Sequence, residues 1–276
     1  MGASGCARGH HQSVGHIAER RRHAVEKLFP TRGYFIPERL VRLTGGGPET
    51  WESIIQLHQD EYARYCPIRP DHHVLEIGCG VGRDAIPLTE ILSSEGRYLG
   101  IDIIEPSIGW CAQNITPVHP NFEFVHLDIG SQIHHPNGKL KTTDVRLPGP
   151  DGSFDRILLQ SVFTHMFRDD IIHYLREFRR LLRPSGLVFA SLFLLDKESL
   201  HLARASGGPL TFAHQHDEGC WITDAAYPEG AVGYSPEVFT QMLEASGMAF
   251  AQPLHLGSWC GRPSSDAQDV AILQPA

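Results

Sequence analysis

A glycine-rich turn directly after an apolar run constrains the fold of this chain more than any other feature. The run from Val74 to Ile77 predicts a buried strand, and Gly78-Cys79-Gly80-Val81-Gly82 follows it without a break. Glycine adopts positive φ angles and carries no Cβ, so we expect backbone N–H groups and a helix N-terminus to face a ligand here. The sequence therefore predicts a strand, a ligand-binding loop and a helix in this order.

The spacing of the three glycines separates two classes of cofactor. A dinucleotide site follows the pattern G-x-G-x-x-G, which would place the third glycine at position 83. That position holds Arg83, and the third glycine comes one residue earlier, at Gly82. This offset disfavours a nicotinamide-dependent oxidoreductase. From the motif alone, a structural tight turn without a ligand is the other interpretation.

Length, composition and charge are those of one large α/β domain with additional segments. The chain has 276 residues, of which 41% are hydrophobic, enough for a well-formed core. A net charge of −8 and the lack of long basic runs argue against a nucleic-acid partner. Six scattered cysteines without a C-x-x-C pair predict reduced thiols and a cytoplasmic location. No stretch approaches the roughly 18 apolar residues of a membrane span.

Strand and helix patterns alternate after residue 73, which predicts a sheet covered by helices on both faces. The strands are expected at 74–77, 97–103, 122–127, 154–159, 186–194, 249–256 and 270–273, and the helices at 83–92, 105–114, 169–182 and 236–246. We therefore predict an α/β fold with a doubly wound, mostly parallel sheet of seven strands.

Further segments precede and interrupt this alternation. We predict that residues 1–66 form a mobile or helical lead, up to about residue 30, followed by a helical cap. We expect residues 67–276 to form the main domain. Insertions at about 130–151 and 196–234 separate its strands. Because loops at the carboxyl edge of such sheets carry function, we expect both insertions, together with the helical cap, to form a lid over the acceptor.

Carboxylates follow two neighbouring predicted strands. Asp102 can accept hydrogen bonds from both hydroxyls of an adenosine ribose, as acidic residues do in dinucleotide folds. Asp128 can accept from the adenine amine, with Ile103 and Ile129 on the two faces of the ring. Either aspartate alone could simply cap a turn. Both together, in register behind the glycine loop, predict an adenosine site.

Several segments resemble class I S-adenosylmethionine-dependent methyltransferases. These are Glu76-x-Gly78-x-Gly80-x-Gly82, the segment 151–166 and the segment 178–187, and the resemblance covers about residues 70–195. Segments 234–236, 245–247 and 257–263 resemble a bacterial small-molecule subgroup of that family. The resemblance implies a Rossmann-like fold with S-adenosylmethionine as cofactor. It also implies an in-line SN2 displacement at the sulfonium methyl, in which the enzyme aligns and desolvates an acceptor.

The resemblance also implies a role for individual residues around the cofactor. Glu76, Gly78, Gly80 and Arg83 would surround its amino-acid end, with Cys79 and Gly82 in the same loop. Asp102 would contact the ribose, Asp128 and Ile129 the adenine with Ile103 on the other face of the ring, and Gln160 the methionine portion near the donor.

Three histidines are candidates for a catalytic base, because a hydroxyl acceptor must lose a proton and neutral imidazole suits pH 7. His165, five residues after Gln160, is the first candidate, although it could equally orient the loop by a local hydrogen bond. His214 and His216 in the second insertion are weaker candidates. Their H-x-H spacing also suits a metal, but no further ligand cluster supports one, so we predict no metal site.

The expected function is methyl transfer from S-adenosylmethionine to a small-molecule acceptor, a hydroxyl of a sugar or secondary metabolite. The alternative is a non-catalytic S-adenosylmethionine-binding partner or regulatory module. We expect no nucleic-acid or membrane partner and leave a homodimer open.

Overall fold

A computed structural model describes residues 26–276. Residues 1–25, most of the predicted lead, lie outside the described residues. The strands are β1 (Leu28–Thr31), β2 (Tyr34–Pro37), β3 (His73–Ile77), β4 (Arg97–Asp102), β5 (Phe122–His126), β6 (Phe154–Leu159), β7 (Leu182–Leu192), β8 (His214–Asp217), β9 (Cys220–Ile222), β10 (Val232–Tyr234), β11 (Met248–Phe250) and β12 (Asp269–Pro275). The helices are α1 (Glu38–Leu43), α2 (Trp51–Tyr65), α3 (Ala85–Leu88), α4 (Glu105–Asn114), α5 (Arg168–Leu181), α6 (Lys197–Ser206) and α7 (Pro236–Ser246).

The main sheet has seven strands in the order β11-β12-β7-β6-β3-β4-β5. Strands β3 to β7 pair in parallel, and β12 pairs antiparallel with both β7 and β11. The chain winds from β3 outward through β4 to β5 and then returns to place β6 on the other side of β3. This reversal creates a crevice beside the carboxyl end of β3, where ligands bind in such sheets. The predicted fold class is confirmed.

Helices cover both faces of this sheet, because alternate residues of a strand point to opposite sides. Ile157 and Val188 pack in a core with α5 and α7, whereas Leu158 and Phe189, one residue further along each strand, pack in a second core with α1 to α4. Helix α2 of the cap thus shares a core with the sheet. This packing fixes the position of α2 beside the crevice.

Three predicted elements differ from the observed ones. Helix α3 has four residues instead of the ten predicted at 83–92, and turns flank it; Pro87 lies inside it and lacks the N–H needed for a regular helical bond. Strand β7 begins at Leu182 rather than 186, because a bulge lets the chain pair with β6 before the regular register starts. The strand predicted at 249–256 shrinks to β11, followed by an isolated bridge at His255.

The segments outside the main sheet also contain elements that the sequence did not predict. Strands β1 and β2 form an antiparallel hairpin, so the interpretation of residues up to about 30 as a mobile or helical lead was wrong for Leu28–Thr31. The second insertion contains α6 and a small sheet of β10, β9 and β8. Short strands of three or four residues carry too little periodicity to be recognised in advance. Between residues 26 and 276, no helix is long and apolar enough to cross a membrane.

A substitution in the second core tests this packing. Phe189 is fully buried, and its ring meets the Tyr62 ring of α2 edge to face at 5.0 Å. We expect Phe189→Ala to lower the free energy of unfolding by about 3–5 kcal/mol, measured by urea denaturation, because it leaves a cavity. Phe35→Ala is the control, since Phe35 is 63% exposed and should change stability by no more than about 0.5 kcal/mol. Equal losses in the two variants would contradict the shared core.

Candidate active site

A cleft of about 420 Å³ opens at the carboxyl ends of the central strands. Residues after three neighbouring strands line it: Gly78 and Gly80 after β3, Asp102 to Ile104 at the end of β4, and Gln160 to Val162 after β6. The cleft therefore occupies the crevice that the topology creates, at the position where a parallel α/β sheet binds its ligand.

All five backbone amides of the glycine loop donate hydrogen bonds within the chain. Gly78 and Cys79 donate to the Ile101 carbonyl (2.8 and 3.1 Å), Gly80 to Asp102 Oδ2 (2.7 Å), Val81 to Thr44 Oγ1 (3.1 Å) and Gly82 to the Cys79 carbonyl (3.0 Å). The prediction that these N–H groups face a ligand was wrong. A loop without a free amide is a poor site for a pyrophosphate, which gives a second argument against a dinucleotide.

The glycines instead allow close approach of neighbouring segments. Gly78 and Gly80 have φ angles of +77° and +54°, and a Cβ on them would lie 2.7 Å from Val162 Cγ2 and 2.4 Å from Thr44 Cγ2. Thr44 belongs to the cap, in the turn after α1. The bare backbone at Gly80 therefore lets the cap close onto the loop, and a side chain there would push it away.

Asp102 anchors the loop from the end of β4. Its Oδ2 accepts from Gly80 N at 2.7 Å and its Oδ1 from Ile104 N at 2.8 Å, with 7% of the residue exposed to the cleft. Burial raises the pKa of this carboxyl, while the backbone N–H donors oppose the rise. Each carboxylate oxygen accepts more than one hydrogen bond, so Asp102 can still receive ligand hydroxyls. Its assignment to the ribose stays a prediction.

Three of the residues assigned to the cofactor lie beneath the cleft rather than in its wall. Glu76 accepts a hydrogen bond from the Tyr98 hydroxyl in the interior, where burial raises its pKa well above the usual value. Cys79 is buried, and Gly82 packs against Ile115. The structure therefore places Glu76, Cys79 and Gly82 as supports of the loop and not as cleft-lining residues.

Arg83 does line the cleft, and it connects the loop to the cap. Its Nη1 donates to the Gly45 carbonyl at 2.9 Å, and the guanidinium lies 6.0 Å from the Trp51 ring. Since this donor is already engaged, the guanidinium holds the turn after α1 against the loop.

The predicted adenine contacts separate into two groups. Ile103 and Ile129 both line the cleft and supply apolar walls. Asp128 does not line the cleft, because its carboxylate accepts from His135 Nε2 at 2.7 Å and pairs with Lys139 Nζ at 3.1 Å in the first insertion. The hydrogen bond from His135 and the ion pair with Lys139 lower the pKa of Asp128. Its adenine contact stays a prediction.

His165 lies in the cleft wall with a fixed ring. Its Nδ1 is 2.8 Å from the Glu229 carbonyl oxygen, which can only accept, so Nδ1 carries the hydrogen. The lone pair of the neutral ring is then on Nε2. Burial lowers the pKa of His165, which favours this neutral form at pH 7. The ring also meets His134 edge to face, with centroids 5.3 Å apart.

His214 and His216 are not brought to the cleft. Both lie on the exposed strand β8, and His216 stacks on the Phe167 ring at 4.5 Å between centroids. Their candidacy as catalytic residues was wrong for this arrangement, because β8 pairs with β9 at the periphery. In the part of the chain that the structure describes, no three His, Cys, Asp or Glu side chains form a group that could hold a metal.

The sequence interpretation placed the helical cap over the acceptor but named none of the cap residues that form one wall of the cleft. Ile54, Leu57, His58 and Glu61 of α2 all line it, at the spacing i, i+3, i+4 and i+7 of one helix face. The apolar members of this stripe read as core positions. Glu61 was the signal that could have identified this wall, because it continues the apolar face of the helix. A carboxylate at such a position indicates a polar partner or a ligand next to that face.

Comparison with known proteins gives the class of this domain. Residues 74–186 match the family described as "Methyltransferase domain". A protein described as an uncharacterized 37.1 kDa protein in transposon TN4556 of Streptomyces fradiae is 31% identical over 118 residues, which are 43% of this chain and 29% of that protein. The 27-O-demethylrifamycin SV methyltransferase of Amycolatopsis mediterranei is 28% identical over 136 residues, 49% of this chain and 44% of that enzyme.

Among solved structures, the PH0226 protein from Pyrococcus horikoshii OT3 shares the fold, with a TM-score of 0.55 and 15% identity over 84% of this chain and 93% of that one. The chain spans less than half the length of the two curated relatives. Residues 74–186 match a methyltransferase domain, and the sheet order and the cleft are those of the Rossmann-like class I fold. These findings confirm the predicted class, S-adenosylmethionine-dependent methyltransferase, and the predicted cofactor. A cleft with carboxylates and no free loop amide suits this cationic ligand, which lacks a phosphate.

Proposed function

We propose that the chain transfers a methyl group from S-adenosylmethionine to a hydroxyl group of a small molecule, a sugar or a secondary metabolite. The observation that carries this proposal is His165, whose Nδ1 is fixed on a backbone carbonyl inside the cleft, which leaves Nε2 as a base. A relative named for 27-O-demethylrifamycin SV, a small molecule, supports the acceptor class and the small-molecule subgroup.

Apolar side chains near His165 in the cleft wall can shield the acceptor hydroxyl from water. Met166, Phe167 and Tyr174 line the same end of the cleft, and apolar side chains there desolvate the acceptor. When bound, S-adenosylmethionine supplies a methyl group activated by its sulfonium. His165 Nε2 accepts the proton of the acceptor hydroxyl, while the Glu229 carbonyl keeps the ring in position.

The two insertions are proposed to act as one lid over this end. Glu229 of the second insertion accepts hydrogen bonds from Ser131 Oγ (2.9 Å) and Gln132 N (2.7 Å) of the first. The same residue holds His165 through its carbonyl. Glu229 therefore contributes both to closure of the lid and to the orientation of the His165 ring. This arrangement couples the exclusion of water to the correct position of the base.

The test is incorporation of a labelled methyl group from S-adenosylmethionine into the low-molecular-mass fraction of an extract from the source cell. We expect the purified chain to label a product in which nuclear magnetic resonance shows an O-methyl group. A label on nitrogen or carbon would contradict the hydroxyl acceptor. Cofactor binding by isothermal titration with no transfer to any fraction would favour the non-catalytic binding module instead.

A further inference from the structure

A buried carboxylate on the cap lines the cleft and forms no ion pair with any of the residues 26–276. Glu61 lies on α2, outside the segment 74–186 that matches the methyltransferase family, and only 3% of it is exposed. On α2, the residues that line the cleft begin with Ile54, and Glu61 is the last of them. A charge at such a position requires an explanation, because removing a carboxylate from water is costly unless it is paired.

The hydrogen bonds around Glu61 leave its charge uncompensated. Within residues 26–276, its hydrogen-bond donor is Gln160 Nε2, at 3.0 Å from Oε2. An amide is neutral, and burial raises the pKa of Glu61. The carboxylate also fixes the Gln160 amide, because only its NH₂ end can face an acceptor. This hydrogen bond thus links α2 of the cap, which carries Glu61, to the end of β6, which Gln160 directly follows.

The cationic side chains in this region have other partners. Arg83 donates to the Gly45 carbonyl at 2.9 Å, and Arg64 pairs with Asp266 at 3.0 Å. The His58 Nδ1 lies 2.9 Å from both carboxylate oxygens of Asp84. Among the described residues, none of these cationic groups forms an ion pair with Glu61, so its carboxylate is available to a cationic group of a ligand in the cleft.

We propose that Glu61 binds the α-ammonium group of S-adenosylmethionine, with Gln160 holding the carboxylate in place. The inference rests on the cofactor binding that the proposed function requires, and it adds a residue from the cap to that site. The family resemblance implies that Gln160 contacts the methionine portion, and its hydrogen bond to Glu61 brings the carboxylate to the same part of the cleft. The cap then recognises the amino-acid end, opposite the strand-end Asp102.

Two ligands that differ in the amino-acid end test this assignment. S-adenosylhomocysteine carries the ammonium group, whereas 5′-methylthioadenosine keeps the adenosine and the thioether but lacks the amino acid. By isothermal titration, we expect Glu61→Gln to weaken S-adenosylhomocysteine by about 10- to 100-fold, the effect of losing a hydrogen bond to a charged group. Binding of 5′-methylthioadenosine should stay within about twofold of the wild type.

Asp60→Asn is the matched control, since Asp60 is the exposed neighbour on the same helix and makes the same change from carboxyl to amide. It should alter neither affinity. Equal weakening of both ligands by Glu61→Gln, or no weakening of either, would overturn the assignment. Failure of the wild-type chain to bind S-adenosylhomocysteine would instead overturn the proposed function. Binding of 5′-methylthioadenosine by the Glu61 variant also shows that it is folded.

Discussion

Replacing His165 by Gln should lower kcat/KM for methyl transfer by about 10²- to 10⁴-fold, the usual contribution of a general base. Glutamine can still donate to the Glu229 carbonyl, which His165 contacts at 2.8 Å, but it cannot take a proton from a hydroxyl. The binding of S-adenosylmethionine should change little, because the base acts on the acceptor. Initial rates with labelled cofactor and isothermal titration separate these two effects.

The pH dependence gives this prediction a second readout. Burial lowers the pKa of His165, so its neutral form persists to a lower pH than that of an ordinary histidine, whose pKa is about 6.5. In the wild type, kcat/KM should therefore be flat near pH 7 and fall only below about pH 6.5, as Nε2 becomes protonated. The residual activity of His165→Gln should lack this acid limb.

His201→Gln is the matched control for His165, since His201 is exposed on α6 and does not line the cleft. It should keep both the rate and the acid limb. A His165 variant with wild-type rates, or one that retains the acid limb, would show that the ring only orients the loop, the alternative that the sequence left open.

The features that the sequence could predict are those set by local pattern and by sheet geometry. Parallel strands bring their carboxyl ends to one edge, so the glycine loop, Asp102 and Gln160 had to meet once the strands were identified. His165 follows Gln160 by five residues and reaches the same cleft for the same reason. Each of these positions depends on the strand that precedes it and on little else.

The features that could not be predicted depend on partners distant in the chain. Whether a loop amide is free depends on Thr44 and Ile101, which accept from it but lie outside the motif. Asp128 follows its strand as expected, yet His135 and Lys139 of the irregular insertion engage its carboxylate. Glu61 reaches the cleft only because α2 packs on the sheet in one particular orientation.

Replacing Asp102 by Ala should raise the dissociation constant of S-adenosylmethionine by about 100-fold, or about 3 kcal/mol, because the ligand loses a charged acceptor. The variant also leaves Gly80 N and Ile104 N without their acceptor, so the glycine loop loses its anchor on β4. Two unpaired backbone donors should lower the free energy of unfolding by about 1–3 kcal/mol each. Isothermal titration and thermal unfolding of the ligand-free protein measure the two effects.

Asp102→Asn separates the loss of charge from the loss of the side chain. The amide keeps the shape of the carboxylate, but its NH₂ must face either Gly80 N or Ile104 N, and two donors repel. We therefore expect the asparagine variant to bind S-adenosylmethionine weakly as well.

Asp71→Ala is the control for both Asp102 variants. Asp71 is exposed, precedes β3 at the opposite edge of the sheet from the cleft, and pairs only with Arg69, at 3.2 Å, among the described residues. Because Asp102 is assigned to the ribose, its variants should weaken 5′-methylthioadenosine too, whereas Glu61→Gln should not. Undiminished binding in both Asp102 variants would remove Asp102 from the cofactor site.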